Sequence, residues 1–193
     1  MVSYEYILKN IQKHVELEAE EIELFISLIR WRRVSKKFLL LKEGQACNYL
    51  YYVHSGALRA FCIDKKGKES TIMFALADWW ITDMYCFLNG RKAMLAIEAL
   101  EDSLIFSIRK ENWDRLLRVR PKFEKLFRIL MQNAYTREQL RAIERLSLSA
   151  EERYDSFLLK YPQIVQQVTQ KQIATYLGIT PEFLSAIRKK KLS

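Results

Sequence analysis

The chain has 193 residues, 32 of them basic and 23 acidic, for a net charge of +9, and half are hydrophobic. That size allows one or two domains with ample core, and only 5 Gly and 3 Pro exclude a low-complexity chain. There is no run of about 18 apolar residues to cross a membrane and no signal-peptide layout at the N-terminus, so a cytoplasmic protein without membrane attachment is expected.

From the start, Tyr4 to Ile29 reads as two amphipathic helices with a break near His14–Leu17. In the second, Ile22, Phe25, Ile26 and Ile29 repeat at i, i+3, i+4 and i+7, and the basic cluster Arg30, Arg32 and Arg33 follows. From about Ser35 the period changes. Phe38–Leu41, Leu50–Val53, Ala57–Ile63, Ser70–Ala75, Leu95–Ala99 and Ser103–Ile108 are short aliphatic and aromatic runs. Turn signals such as Glu43-Gly44, Ser55-Gly56, Lys65-Lys66-Gly67 and Asn89-Gly90 separate several of them. This spacing predicts an antiparallel barrel or roll.

After Arg109 the helical period returns. Glu111–Val119 is a short helix, and Pro121 opens a long one reaching about Leu146. Its stripe (Phe123, Leu126, Phe127, Leu130, Met131, Ala134, Leu140, Ile143, Leu146) is wide enough to face both its own roll and a partner helix. Ser149-Ala150-Glu151-Glu152 caps a further helix through about Lys160, ending at Tyr161-Pro162.

Thr169–Lys189 reads as two short helices joined by a sharp turn. Thr169 caps the first and Gln172 stands at capping-box distance. Ile173, Ala174 and Leu177 form its apolar face, and Gly178 supplies the positive φ that ends it. Thr180 then caps the second helix, with Pro181 at its first position. Leu184 and Ile187 turn inward, so Glu182, Ser185, Ala186 and Lys189 share the outward face. That is a helix-turn-helix, whose second helix suits a DNA major groove. Charge agrees: residues 1–108 hold 14 basic and 14 acidic side chains, residues 109–148 hold 11 and 5, and residues 149–193 hold 7 and 4. The excess of Lys and Arg lies where phosphates would be met.

Other chemistries lack their residues. Cys47, Cys62 and Cys86 are far apart, and His14 and His54 are isolated, so no metal site or cofactor is expected. There is no nucleophile–base pair or phosphate-cradling glycine loop, which argues against an enzyme.

In this order the elements resemble the Crp/Fnr family of bacterial transcription regulators. The resemblance is carried by Leu41-Lys42-Glu43-Gly44, by Leu50-Tyr51-Tyr52-Val53-His54-Ser55-Gly56-Ala57-Leu58-Arg59, which look like the paired glycine turns of a cyclic-nucleotide-binding roll, and by Glu98-Ala99-Leu100-Glu101-Asp102-Ser103. It implies an α+β chain: an antiparallel β-roll (double-stranded β-helix or jelly-roll type) with flanking helices, a long central helix and a C-terminal helix-turn-helix. The expected divisions are an effector-type roll with N-terminal helices over 1–120, a linking and dimerisation helix over 121–147, and a DNA-binding unit over 148–193, without a full wing because the sequence stops at Ser193.

The departures from the family pattern concern the ligand. Where cyclic-nucleotide binders carry Glu for the ribose, Asp83 stands here, and Ala93 and Met94 replace the phosphate Arg and its Ser or Thr neighbour. A buried phosphate would lack its cation. A slip in register would bring in Arg91 or Lys92, so Asp83, Arg91 and Lys92 are the candidate effector residues, and cyclic-AMP dependence is not expected. The family's N-terminal cysteine cluster is also absent.

The expectation is a homodimeric, sequence-specific transcription regulator that pairs through its long helix. It binds double-stranded DNA at half-sites about 34 Å apart. Glu182, Ser185, Ala186 and Lys189 form the reading face, with Lys189 on guanine or phosphate, while Thr169, Gln170, Thr180 and Arg188 contact the backbone. RNA polymerase and an unknown small-molecule effector are the further partners that the resemblance implies. The alternative is a small-molecule sensor acting through a protein partner.

Overall fold

The computed structural model describes residues 2–192. Helices α1 (Glu5–Gln12) and α2 (Ala19–Leu28) lead into β1 (Ile29–Val34). Strands β2 (Leu39–Leu41), β3 (Tyr49–Ser55), β4 (Ala57–Ile63), β5 (Glu69–Leu76) and β6 (Trp80–Ile81) follow, then α3 (Met84–Asn89), β7 (Ala96–Ala99) and β8 (Ser103–Arg109). Five α-helices complete the described residues: α4 (Lys110–Val119), α5 (Pro121–Ser147) and α6 (Ala150–Lys160), and, after a 3-10 turn at Ile164–Gln166, α7 (Gln170–Leu177) and α8 (Pro181–Leu192). No helix among the described residues is long and apolar enough to cross a membrane.

The strands form two antiparallel four-stranded sheets, ordered β1-β8-β3-β6 and β2-β7-β4-β5. Glycine shapes the turn between β3 and β4. Gly56 has φ +90°, and a Cβ there would lie 2.8 Å from the Cα of Ser103. The Ser103 hydroxyl accepts from Ala57 N–H at 3.2 Å and donates to the carbonyl of Glu101 at 2.8 Å. Only glycine fits where these two segments meet.

β4 is buried at five successive positions from Ala57 to Phe61. It contributes to two cores. Leu58 and Ala60 join the main core with Val53, Ile97 and Ile105. Ala57, with Phe74 and Leu100, joins a second core made with α6, α7 and α8. Cover on both faces explains the unbroken run of buried positions, which includes Arg59, paired with Glu98 and Glu69.

β1 and α3, like the short β6, are elements that the sequence reading does not contain. Residues 29–34 are a strand, paired from Ile29↔Ile108 to Val34↔Ser103. Only its two ends are buried, and Arg30, Trp31, Arg32 and Arg33 between them are exposed. It is a charged edge strand, which resists pairing with other chains. The apolar repeat ending at Ile29 had assigned that residue to the preceding helix. The segment after Thr82, given no element in the sequence reading, contains α3, which Asp83 caps and Gly90 ends at φ +61°.

α5 has 27 residues, a span of about 40 Å at 1.5 Å each. Phe123 and Leu126 at its start are wholly buried in the main core. Further along, Tyr135, Leu140, Ile143 and Leu146 are exposed.

Candidate nucleic-acid interface and the cavity beside it

The two C-terminal helices are built by local chemistry. Thr169 and Gln172 close a reciprocal box: the Thr169 N–H donates to Gln172 Oε1 at 2.9 Å, and the Gln172 N–H donates to Thr169 Oγ1 at 3.2 Å. Gly178 ends α7 at φ +73°. Thr180 Oγ1 accepts from the Phe183 N–H at 3.2 Å, starting α8. Leu184 and Ile187 are buried against Ile173, Ala174 and Leu177. That leaves Glu182, Ser185, Ala186 and Lys189 exposed on α8, one strip about 10 Å long. Thr169, Gln170 and Thr180 are exposed at the helix starts, and Arg188 is half-buried. The end of α8 is tied to α6: Lys190 meets Glu151 at 3.0 Å, and Lys191 bonds Asp155. The expectation of a missing wing concerns the end of the chain, outside the described residues.

The opposite face of α7 rests on the roll. Thr175 Oγ1 accepts from the Thr71 N–H at 3.3 Å and bonds Thr71 Oγ1 at 3.1 Å. Tyr176 packs on Phe74 at 5.2 Å and Phe157 at 5.5 Å, and edge-on to Tyr161 at 6.1 Å. Burial, then the neighbouring Tyr176, pushes the Tyr161 hydroxyl above the ordinary tyrosine range. From α5, Arg141 lies over the Tyr176 ring at 4.6 Å and donates to the Ile72 carbonyl, while Arg145 donates to the Tyr176 carbonyl at 3.2 Å. The sequence reading missed this seam. One signal was present, since Arg137, Arg141 and Arg145 recur every four residues on α5.

The three candidate effector residues are not brought together. Asp83 is 3 % exposed, and its carboxylate accepts from the N–H groups of Cys86 (3.3 Å), Met94 (2.8 Å) and Leu95 (3.0 Å). It ties α3 to the strand that follows. Arg91 and Lys92 are exposed, and Arg91 lies over the Tyr85 ring at 5.6 Å. The arginines buried among the described residues are committed elsewhere. Arg59 pairs with Glu98 and Glu69, each at 2.6 Å, and Arg141 holds the seam.

A cavity of about 280 Å³ lies where the roll meets α5. Leu50, Met73, Ile81 and Met84 line it from the roll, and Phe127, Leu130, Met131 and Ala134 line it from α5. Trp79, Trp80, Asn133 and Arg137 belong to the lining too. None of Asp83, Arg91 and Lys92 reaches it.

No cluster of three metal-binding side chains occurs among the described residues. Cys47, Cys62 and Cys86 are free thiols, and burial pushes Cys47 and Cys86 up, away from the reactive thiolate.

Known proteins share this arrangement. Residues 31–120 match the cyclic nucleotide-binding domain. The chain is 27% identical over 185 residues to a "Fumarate and nitrate reduction regulatory protein" of Vibrio cholerae, covering 89% of this chain and 72% of that one. It is 25% identical over 183 residues to an "Anaerobic regulatory protein" of Pasteurella multocida, covering 89% of this chain and 66% of that one. In fold it matches the c-di-GMP responsive global regulator CLP of Xanthomonas campestris, with TM-score 0.73 and 16% identity over 91% of this chain and 92% of that one. It also matches FixK2 of Bradyrhizobium japonicum, with TM-score 0.71 and 20% identity over 84% and 83%.

Proposed function

We propose that the chain is a transcription regulator of Crp/Fnr type that binds double-stranded DNA sequence-specifically, as a homodimer, without needing cyclic AMP. The observation that carries this is the exposed strip of α8. Its inner side chains, Leu184 and Ile187, are locked in the second core, so the strip is presented on a fixed helix. Glu182 suits the cytosine amino group, Ser185 several base edges, and Lys189 guanine or phosphate. Ala186 leaves room for close approach. Thr169, Gln170, Thr180 and Arg188 flank the strip and suit backbone contacts.

Exposed Tyr135, Ile143 and Leu146 on α5 support pairing of two chains along that helix. Two copies would place the reading helices on half-sites about one helical turn apart. The dimer works in the cytoplasm beside RNA polymerase, as a regulator rather than an enzyme. The committed state of Asp83 and the outward placement of Arg91 and Lys92 support independence from cyclic AMP.

Selection from a random-sequence DNA pool, followed by gel shifts over a salt series, tests the reading. A two-fold related consensus with affinity falling steeply as salt rises is expected. Equal binding to all sequences overturns it.

A further inference from the structure

We infer that the groove between β1, β8 and β3 on one side and β2 on the other binds a small planar aromatic carboxylate. No residue of α5 lines it, and the inference goes beyond the regulator reading without resting on it.

Strand register brings the residues together. Arg30 and Arg32 alternate along β1 with Trp31 and Arg33, so the two share a face. Arg30 pairs with Ser107, and Ser107 pairs on its other side with Tyr51. Arg32 pairs with Ile105, and Tyr49 pairs with Arg109. At about 4.8 Å per strand, Arg30 and Tyr51 stand about 10 Å apart along their row, the reach of a two-ring acid. These residues line a groove of about 560 Å³, to which β2 contributes Leu40 and Leu41. That volume is ordinary for a small-molecule site.

Chemistry defines the ligand. The lining holds three arginines, Arg30, Arg32 and Arg109, and no Asp or Glu. Arg30 donates through one nitrogen to the carbonyls of Ser27 and Ile29, both at 2.9 Å. Arg32 lies over the Phe38 ring at 4.2 Å and pairs with no acid among the described residues. Arg109 meets Glu111 at 3.7 Å with both side chains more than half exposed, a contact that water weakens. A guanidinium edge matches a carboxylate with two parallel bonds. The rings of Tyr49 and Tyr51 stand 6.1 Å apart at 26°, and Tyr49 is 40 % exposed, so an aromatic face is open for stacking. Cation and ring lie on one sheet face, which suits a charge in line with a flat ring. A nucleotide sets its sugar between base and phosphate, at an angle to the base, and does not lie flat here. Charge on β1 alone would keep that edge from pairing. Arg109 on β8 and exposed Tyr49 on β3 add nothing to such protection, and a ligand accounts for them.

Naphthoate is the probe, titrated calorimetrically into the full chain, with naphthamide as its uncharged twin at the same ionic strength. One naphthoate per chain is expected, bound at least tenfold more tightly than the amide. Arg32→Gln lowers that affinity at least tenfold. Tyr49→Ala lowers it about fivefold and serves if the first variant does not fold. Arg128→Gln removes the same charge from α5, where Arg128 bonds Gln132 at 3.3 Å, and keeps the wild-type affinity. Cyclic AMP does not displace the naphthoate. No binding by the wild type, equal binding of acid and amide, or wild-type affinity in either folded groove variant overturns the site. An equal loss in Arg128→Gln overturns it too, by tracing the binding to net charge. Displacement by cyclic AMP overturns the ligand class. No arm uses DNA, so failure of the DNA reading appears separately in the gel shifts.

Discussion

Thr175 and Thr71, 104 residues apart in sequence, share a hydrogen bond of 3.1 Å between their hydroxyls, and the Thr71 N–H donates to the same Thr175 oxygen at 3.3 Å. One side chain on α7 thus satisfies two polar groups on β5. Thr71 is 1 % exposed, so water cannot replace that partner. Thr175→Val keeps the shape and removes the acceptor. It is expected to cost about 1–3 kcal/mol and a few degrees in Tm, with faster amide exchange in α7. An unchanged melt in calorimetry would show that the seam contributes no stability.

Gly56 and Gly44 make a matched pair for a backbone test. Both have positive φ, +90° and +81°, but a Cβ at Gly44 meets nothing within 4 Å whereas one at Gly56 meets Ser103. Gly44→Ala should cost only the left-handed strain, about 1–2 kcal/mol. Gly56→Ala adds overpacking against the segment at Ser103 and should cost about 3 kcal/mol or more. Urea midpoints of the two variants check the order, and equal losses would contradict it.

Asp83 is expected to behave as a structural carboxylate. Asp83→Ala leaves three N–H groups without their acceptor and should cost about 2–4 kcal/mol. Cyclic AMP titrated calorimetrically into the wild type should give no micromolar binding, because no cation is placed to meet a phosphate. Tight binding that vanished in Asp83→Ala would assign the residue a ligand role instead.

On the reading helix, the two kinds of contact should separate. Glu182→Ala or Ser185→Ala should relax the preference at one base position by about 1–3 kcal/mol. Lys189→Ala should weaken binding to all sequences and flatten the salt dependence by about one unit of slope if it meets phosphate. Binding measured on the selected consensus and on single-base variants distinguishes these outcomes.

Acid should destabilise the fold in two stages. Burial beside the rings of Tyr6 and Phe106, 5.2 and 5.5 Å away, holds His54 below its ordinary 6.5. The folded state therefore binds fewer protons than the unfolded chain, and stability rises with pH across that window. The contribution is complete above pH 6.5 and is lost as pH falls below it. Burial pushes Asp78 up, but the bonds from Lys13, Tyr52 and Asn10 outweigh it and leave the group below its ordinary 3.8. That part is kept above pH 3.8 and lost below. Denaturant midpoints against pH should show both limbs, and His54→Phe should flatten the first. A wild-type slope surviving in that variant would move the cause elsewhere.

What the sequence made legible was whatever is encoded over a few residues. The helix-turn-helix was readable because Thr169, Gln172, Gly178, Thr180 and Pro181 each do a local job, and the roll because turn residues interrupt alternating runs. β1 was not readable, since four exposed residues between Ile29 and Val34 leave no alternation to see. Asp83 looked like a ligand residue by its place in the family pattern. Its actual partners are backbone N–H groups, which no side-chain pattern encodes. The seam was hidden for another reason. It joins Thr71, Phe74 and Trp79 to residues from Tyr161 to Tyr176, and long-range pairing leaves no spacing to detect.

The pairing of Lys190 with Glu151 and of Lys191 with Asp155 alters what the +9 charge means for DNA. Binding to DNA gains entropy when mobile ions leave the phosphates and are diluted into bulk. A lysine that arrives with its own tethered carboxylate trades one anion for another, and that carboxylate stays behind, close to the phosphates, where it repels them. The basic tail of α8 should therefore steepen the salt dependence less than its count of lysines suggests. Neutralising Glu151 and Asp155 should tighten binding to every sequence alike, an adjustment of grip that leaves the choice of site untouched.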